Sequence, residues 1–147
     1  MLINFLAGLP VILVCLLFQG LFVALCLQQY SHYQQRRRKQ HGHAAPLRDM
    51  LLLSIVMLLL LLGNFVQMAV WATLFMLLGE FEQFSDALYF SGVTFATLGY
   101  GDVVLSPAWR LLSALEAANG ILMFGVSTAV MTAAVNDVFK RMLRRQR

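Results

Sequence analysis

The sequence predicts an all-α membrane protein: three transmembrane helices per chain, with a re-entrant helix and a polar strand between the second and third. Three observations carry this. Of the 147 residues, 60% are hydrophobic and only 12% charged, with a mean hydropathy of +0.73. Three apolar windows, 2–27, 50–78 and 111–136, each reach the roughly 20 residues needed to cross a hydrocarbon core of about 30 Å. Between the last two lies Thr94-Phe95-Ala96-Thr97-Leu98-Gly99-Tyr100-Gly101-Asp102, polar and glycine-spaced. Hardly any chain remains for a soluble catalytic domain.

The first window, residues 1–27, reads as a retained transmembrane helix. No basic residue precedes it, it is longer than a signal-peptide core, and Leu25 stands before Cys26 where a lipoprotein cleavage site would want a small residue. Cys15 and Cys26 lie about 16 Å apart along a helix and cannot bridge each other. They read as small apolar packing residues, with an intersubunit bond as the alternative.

Residues 28–49 form a basic loop. Arg36, Arg37, Arg38, Lys39 and Arg48 stand against Asp49, a balance of +4. The tail, residues 137–147, carries Lys140, Arg141, Arg144, Arg145 and Arg147 against Asp137, again +4. The segment 79–110 has Glu80, Glu82, Asp86 and Asp102 against Arg110, a balance of −3. Positive charge stays cytoplasmic, so the amino terminus is expected outside, the loop and tail inside, and 79–110 facing outward. Topology accounts for both basic clusters, with anionic lipids as a further partner. Nucleic acid is not expected. His32, His41 and His43 share the loop without acidic or cysteine neighbours, and read as a solvated linker or a weak pH sensor.

The outer helix, 50–78, carries Asn64 and Gln67 three positions apart, either as partners for a buried acid or as interhelical bonds. After it, Ser85 and Asp86 are good helix-start residues for a short helix over 85–96. Such a helix dips in from outside and presents roughly half a negative elementary charge at its carboxyl end, which favours a cation. The strand 97–102 follows. Non-helical backbone at membrane depth survives only where protein buries it or where it lines a water-filled path. Glycine adopts positive φ freely, so Gly99 and Gly101 let successive carbonyls turn to one side, and rings of such carbonyls can replace the water shell of a cation.

Thr97-Leu98-Gly99-Tyr100-Gly101-Asp102 closely resembles the selectivity filter of the potassium channel family. Ala87-Leu88-Tyr89-Phe90-Ser91 resembles the start of that family's pore helix, and Pro107-Ala108-Trp109-Arg110-Leu111 its passage into the inner helix. The resemblance covers the pore domain, residues 50–136, and leaves residues 1–27 as an additional helix. It implies K+ ion sites made by the carbonyls of Thr97, Leu98, Gly99 and Tyr100 with the Thr97 hydroxyl, with Gly101 completing the filter. Tyr100 would pack outward against the pore helix, and Asp102 would raise the cation concentration at the outer mouth. Leu98 stands where valine is commonest, and Val93 where some bacterial members carry an acid.

The inner helix, 111–136, is rich in Ala, Gly and Ser, a close-packing composition. The resemblance places Ile121, Phe124, Thr128 and Thr132 toward the conduction path, on one stripe at spacings of three and four. Gly120 is either a hinge or a close-contact site. Glu116, an ionisable residue at membrane depth, is either a brace to the pore helix or a protonation-dependent gate. In the tail, Val138, Phe139, Met142 and Leu143 alternate with basic pairs, as in an interfacial amphipathic helix. No helix carries the periodic arginines of a voltage sensor.

One filter strand per chain cannot enclose a path, so a ring of copies is expected, and the resemblance implies that it is four-fold. The resemblance thus implies a homotetrameric potassium channel of the bacterial inner membrane, with K+ as permeant ion and no cofactor, and no enzymatic activity. The alternative is a non-conducting or regulatory subunit with a pore-like fold.

Overall fold

The computed structural model describes residues 2–39 and 46–145, and among them it is helix and loop with no sheet-paired strand, so the strand expected at 97–102 is a single segment without a ladder partner in this chain. Four helices follow in order: α1 Leu2–Lys39, α2 Pro46–Leu77, α3 Phe84–Phe95 and α4 Arg110–Arg145. Three of them, over Leu2–Cys26, Leu53–Leu77 and Arg110–Lys140, are long and apolar enough to cross a membrane. The 12 residues of α3 reach only about 18 Å, too short to cross.

Each long helix extends beyond its apolar window. α1 continues through Gln28–Lys39, read from sequence as loop, and α4 runs to Arg145, through most of the expected tail. Gln, Arg and Lys are good helix formers, and hydropathy marks the end of the membrane rather than the end of the helix. α2 starts at Pro46, which suits a first helical position because the N–H it lacks has no intrahelical partner there. α3 starts at Phe84 rather than Ser85. Gln83 caps it in an extended conformation, and its carbonyl accepts the Ala87 N–H at 3.2 Å. His41 and His43 lie outside the described residues, as do the side chains of His32, the Arg36–Lys39 run, Met142 and Leu143.

The core sits behind α3. Trp71 and Phe75 of α2, Phe90 and Phe95 of α3, Leu105 of the following loop, and Leu112 and Met123 of α4 are all buried together. The Phe75 and Phe90 rings meet edge to face at 5.3 Å, and Phe95 meets Phe124 at 5.6 Å. Aromatic side chains of this size bury the most area per residue, so they fix the short helix between the two long ones.

α1 packs along α2 and α4 of the same chain. Two glycines mark the crossings. A Cβ at Gly8 would come within 2.9 Å of Leu115 Cδ1, and one at Gly63 within 3.3 Å of the Phe22 ring. Small residues let membrane helices approach this closely. Cys15 and Cys26 are free thiols, both buried.

Candidate functional site

The site is built outward from the end of α3. Its last turn closes with Leu98 N–H on Val93 O and Thr97 N–H on Thr94 O, both at 2.9 Å. This double bond pattern is a Schellman cap, whose penultimate donor sits in the left-handed region. α2 ends the same way, with Glu80 N–H on Phe75 O and Gly79 N–H on Met76 O. There the left-handed residue is Gly79, at φ +74°; in α3 it is Thr97, at φ +59°. A β-branched residue in that conformation costs on the order of 1–2 kcal/mol.

The alternation continues along the strand. Gly99 is at φ +58° and Gly101 at +76°, while Leu98, Tyr100 and Asp102 keep ordinary negative values. Left-handed and ordinary residues in strict alternation turn successive carbonyls to one side, which a regular strand does not do. Leu98 and Tyr100 stand 56% and 66% exposed on the single chain. The sequence reading has Tyr100 packing against the pore helix; no wall within this chain covers it.

The outer end of the strand is pinned. Tyr89 Oη donates to Asp102 Oδ2 at 2.7 Å, and Val103 N–H donates to Asp102 Oδ1 at 3.0 Å. The Tyr89 hydroxyl holds the Asp102 carboxyl below the usual carboxylate range, and Asp102 in turn pushes the Tyr89 phenol up. A depressed carboxyl contributes at pH above its unfolded value and loses that contribution as pH falls through its folded value. Tyr89→Phe is therefore expected to move the acid midpoint of Asp102 upward, read by carboxyl-carbon NMR, and to weaken the pin at a pH where the parent protein keeps it. An unmoved midpoint would show that the bond does not form. A second carboxylate sits behind the strand's exit: Glu80 accepts the Ser106 N–H and the Ser106 hydroxyl, each at 2.7 Å.

The inner face of α3 is braced as well. The Ser91 hydroxyl faces both the Met68 carbonyl, at 2.8 Å, and the carboxylate of fully buried Glu116. One side chain thus joins α2, α3 and α4. One turn beyond Glu116, Gly120 lies against the backbone of Phe95: a Cβ there would overlap the Phe95 carbonyl oxygen and stand 2.9 Å from its carbon. Gln67 bonds to Gln19 of α1 rather than to Glu116, and Asn64 borders a groove of about 640 Å³ between α2 and α4. Phe124, Thr128 and Thr132 line that groove, while Ile121 is 62% exposed.

A family model described as an ion channel matches residues 54–137. The chain belongs to this ion channel family. No curated protein and no solved structure matched it. As an ion channel with three apolar helices it is a multi-pass membrane protein, and the matched residues run from Ser54, the ninth residue of α2, to Asp137 in the last third of α4. α1 lies outside the match, so the contacts it makes with the channel domain are an addition to the family pattern. Four residues of this site went unread in the sequence as contact makers, Glu80, Tyr89, Ser91 and Ser106, and so did Gln19, which lies outside it on α1. Gln19 carried a signal, an amide inside an apolar span; the other four are ordinary residues whose partners lie 13 to 26 positions away in the chain.

Proposed function

We propose that the chain forms a potassium-selective channel as a homotetramer, with K+ moving down its electrochemical gradient through a filter of stacked carbonyl rings. The observation that carries this reading is the left-handed alternation at Thr97, Gly99 and Gly101 directly after the end of α3. Four such strands around one axis would offer K+ the carbonyls of Thr97, Leu98, Gly99 and Tyr100, with the Thr97 hydroxyl at the inner end. The exposed Leu98 and Tyr100 side chains support assembly, because apolar surface at a strand of this kind is covered in the ring by the neighbouring subunit.

In this mechanism the carboxyl end of α3 favours a cation at the inner end of the filter. Asp102 adds negative charge at the outer mouth. Ile121, Phe124, Thr128 and Thr132 line the path below. Several partly dehydrated ions occupy the rings together, and each arrival displaces the next. The charge pattern places the filter entrance outside and the basic segments in the cytoplasm, against anionic lipids, as in a bacterial inner membrane.

The test is flux from purified protein in liposomes under a K+ gradient, compared with Na+ and challenged with barium. K+-selective, barium-sensitive flux is the expected result. A tetrameric preparation with no flux across pH and lipid composition would overturn it in favour of a non-conducting pore-like subunit.

A further inference from the structure

We infer that Gln19 of α1 is a positioning residue that ties the second half of α4 to the rest of the subunit, so that bending of α4 requires its hydrogen-bonded chain to break. The inference rests on the reading of α4 as the helix lining the ion path.

Gln19 is only 3% exposed, within the apolar span Leu2–Cys26. A buried amide at membrane depth needs partners for both its acceptor and its donor. It has both. Gln67 Nε2 donates to Gln19 Oε1 at 2.8 Å, and Gln19 Nε2 donates to Ser127 Oγ at 3.1 Å. A single side chain thereby links α2, α1 and α4 at one level.

The placement along α4 gives this link its consequence. Above it α4 is held, with Glu116 against Ser91 and Gly120 against the Phe95 backbone. Below it Val135 and Phe139 stand 46% and 58% exposed on the single chain. Between the held part and the link stands Gly125, where an added Cβ would meet nothing within 4 Å. Glycine weakens a helix interior, and kinks in membrane helices concentrate at such residues. Ser127 follows two positions later. A bend at Gly125 that carries Ser127 away from Gln19 must break the Gln67–Gln19–Ser127 chain, which therefore opposes it. Because α1 lies outside the residues shared with the channel family, this restraint belongs to the added helix.

The experiment is single-channel recording of the purified full-length protein in planar bilayers, comparing Gln19→Leu, Ser127→Ala and the double variant. Interhelical bonds of this kind in membranes correspond to about a three- to tenfold change in an equilibrium. Each single variant is expected to raise open probability by about that factor. The double variant is expected to add nothing further, with unitary current and K+/Na+ selectivity unchanged. An unchanged open probability in Gln19→Leu, multiplying effects in the double variant, or an altered unitary current would overturn the inference.

A second readout does not depend on conduction. Spin labels at the exposed positions Ile55 of α2 and Phe139 of α4 report the spread of distances between the two helices. Gln19→Leu is expected to broaden that distribution, and an unchanged distribution overturns the tether. Broadening in a protein that never conducts supports the tether and overturns the channel reading.

Discussion

Replacing Gly99 by alanine is expected to abolish K+-selective flux while leaving an assembled membrane protein. The reason is conformational rather than steric. An added Cβ at Gly99 meets nothing within 4 Å in the chain, so space is not the obstacle. The obstacle is the φ of +58°, where an L-residue loses on the order of 1–2 kcal/mol. In the proposed ring the same cost falls on four strands at once, roughly 4–8 kcal/mol, comparable with the whole stability of a small domain. Thr97 already occupies a strained position two residues earlier, so the strand has little tolerance for a second. The relief available to alanine is to rotate to negative φ, which turns its peptide away and removes one carbonyl from the ring. The check is K+ against Na+ flux together with the oligomeric state in detergent. Retained selectivity in an intact assembly would remove the filter assignment.

The second large effect is expected at Gly120, and here the obstacle is steric. Gly120→Ala would drive a methyl group into the carbonyl of Phe95, a backbone atom that cannot rotate aside as a side chain can. α3 must then separate from α4 at the point where it delivers the filter. The neighbouring Ser91–Glu116 contact spans the same interface and would stretch with it. Overpacking of this kind costs about 1–3 kcal/mol, occasionally more. Gly125→Ala is the control: the site is open within the chain, and alanine favours helix by up to about 1 kcal/mol. Thermal dissociation of the assembly is expected to fall for the first variant and to hold or rise for the second. Equal behaviour of the two would mean that the Phe95 contact carries no weight.

The two glycines show how far the sequence could be read. Both stand in the same apolar helix with similar neighbours, and local pattern left hinge and close contact equally open for Gly120. The difference arises from α3, which crosses one glycine and not the other. The architecture was legible, because three apolar windows and one polar, glycine-spaced interruption between them are properties of the chain alone. The left-handed conformation of Gly99 and Gly101 was legible for the same reason, since positive φ is a local demand and glycine its usual answer.

Thr97 shows the opposite case. Its left-handed conformation belongs to a cap in which α2 uses Gly79, and a threonine there argues locally against it. Only the two closing bonds of the helix show the backbone requirement at this position. Glu116 was marked as costly at membrane depth, but its partner Ser91 lies 25 residues away and reads as an unremarked hydroxyl on a short helix. Gln19 is more distant still from Ser127, 108 residues along the chain. Partners of that kind follow from how helices cross, which single-sequence periodicity does not encode.

The bare flanks of the filter strand bear on how such a protein is made safely. Leu98 and Tyr100 are left uncovered by their own chain, so in the proposed ring a newly inserted subunit holds one wall of the path and no closed conduit. Chains can then enter a bilayer one at a time, before meeting their partners, without short-circuiting the voltage across it. In that ring conduction would begin only with the final copy, and assembly itself would act as the quality check on each completed conductor.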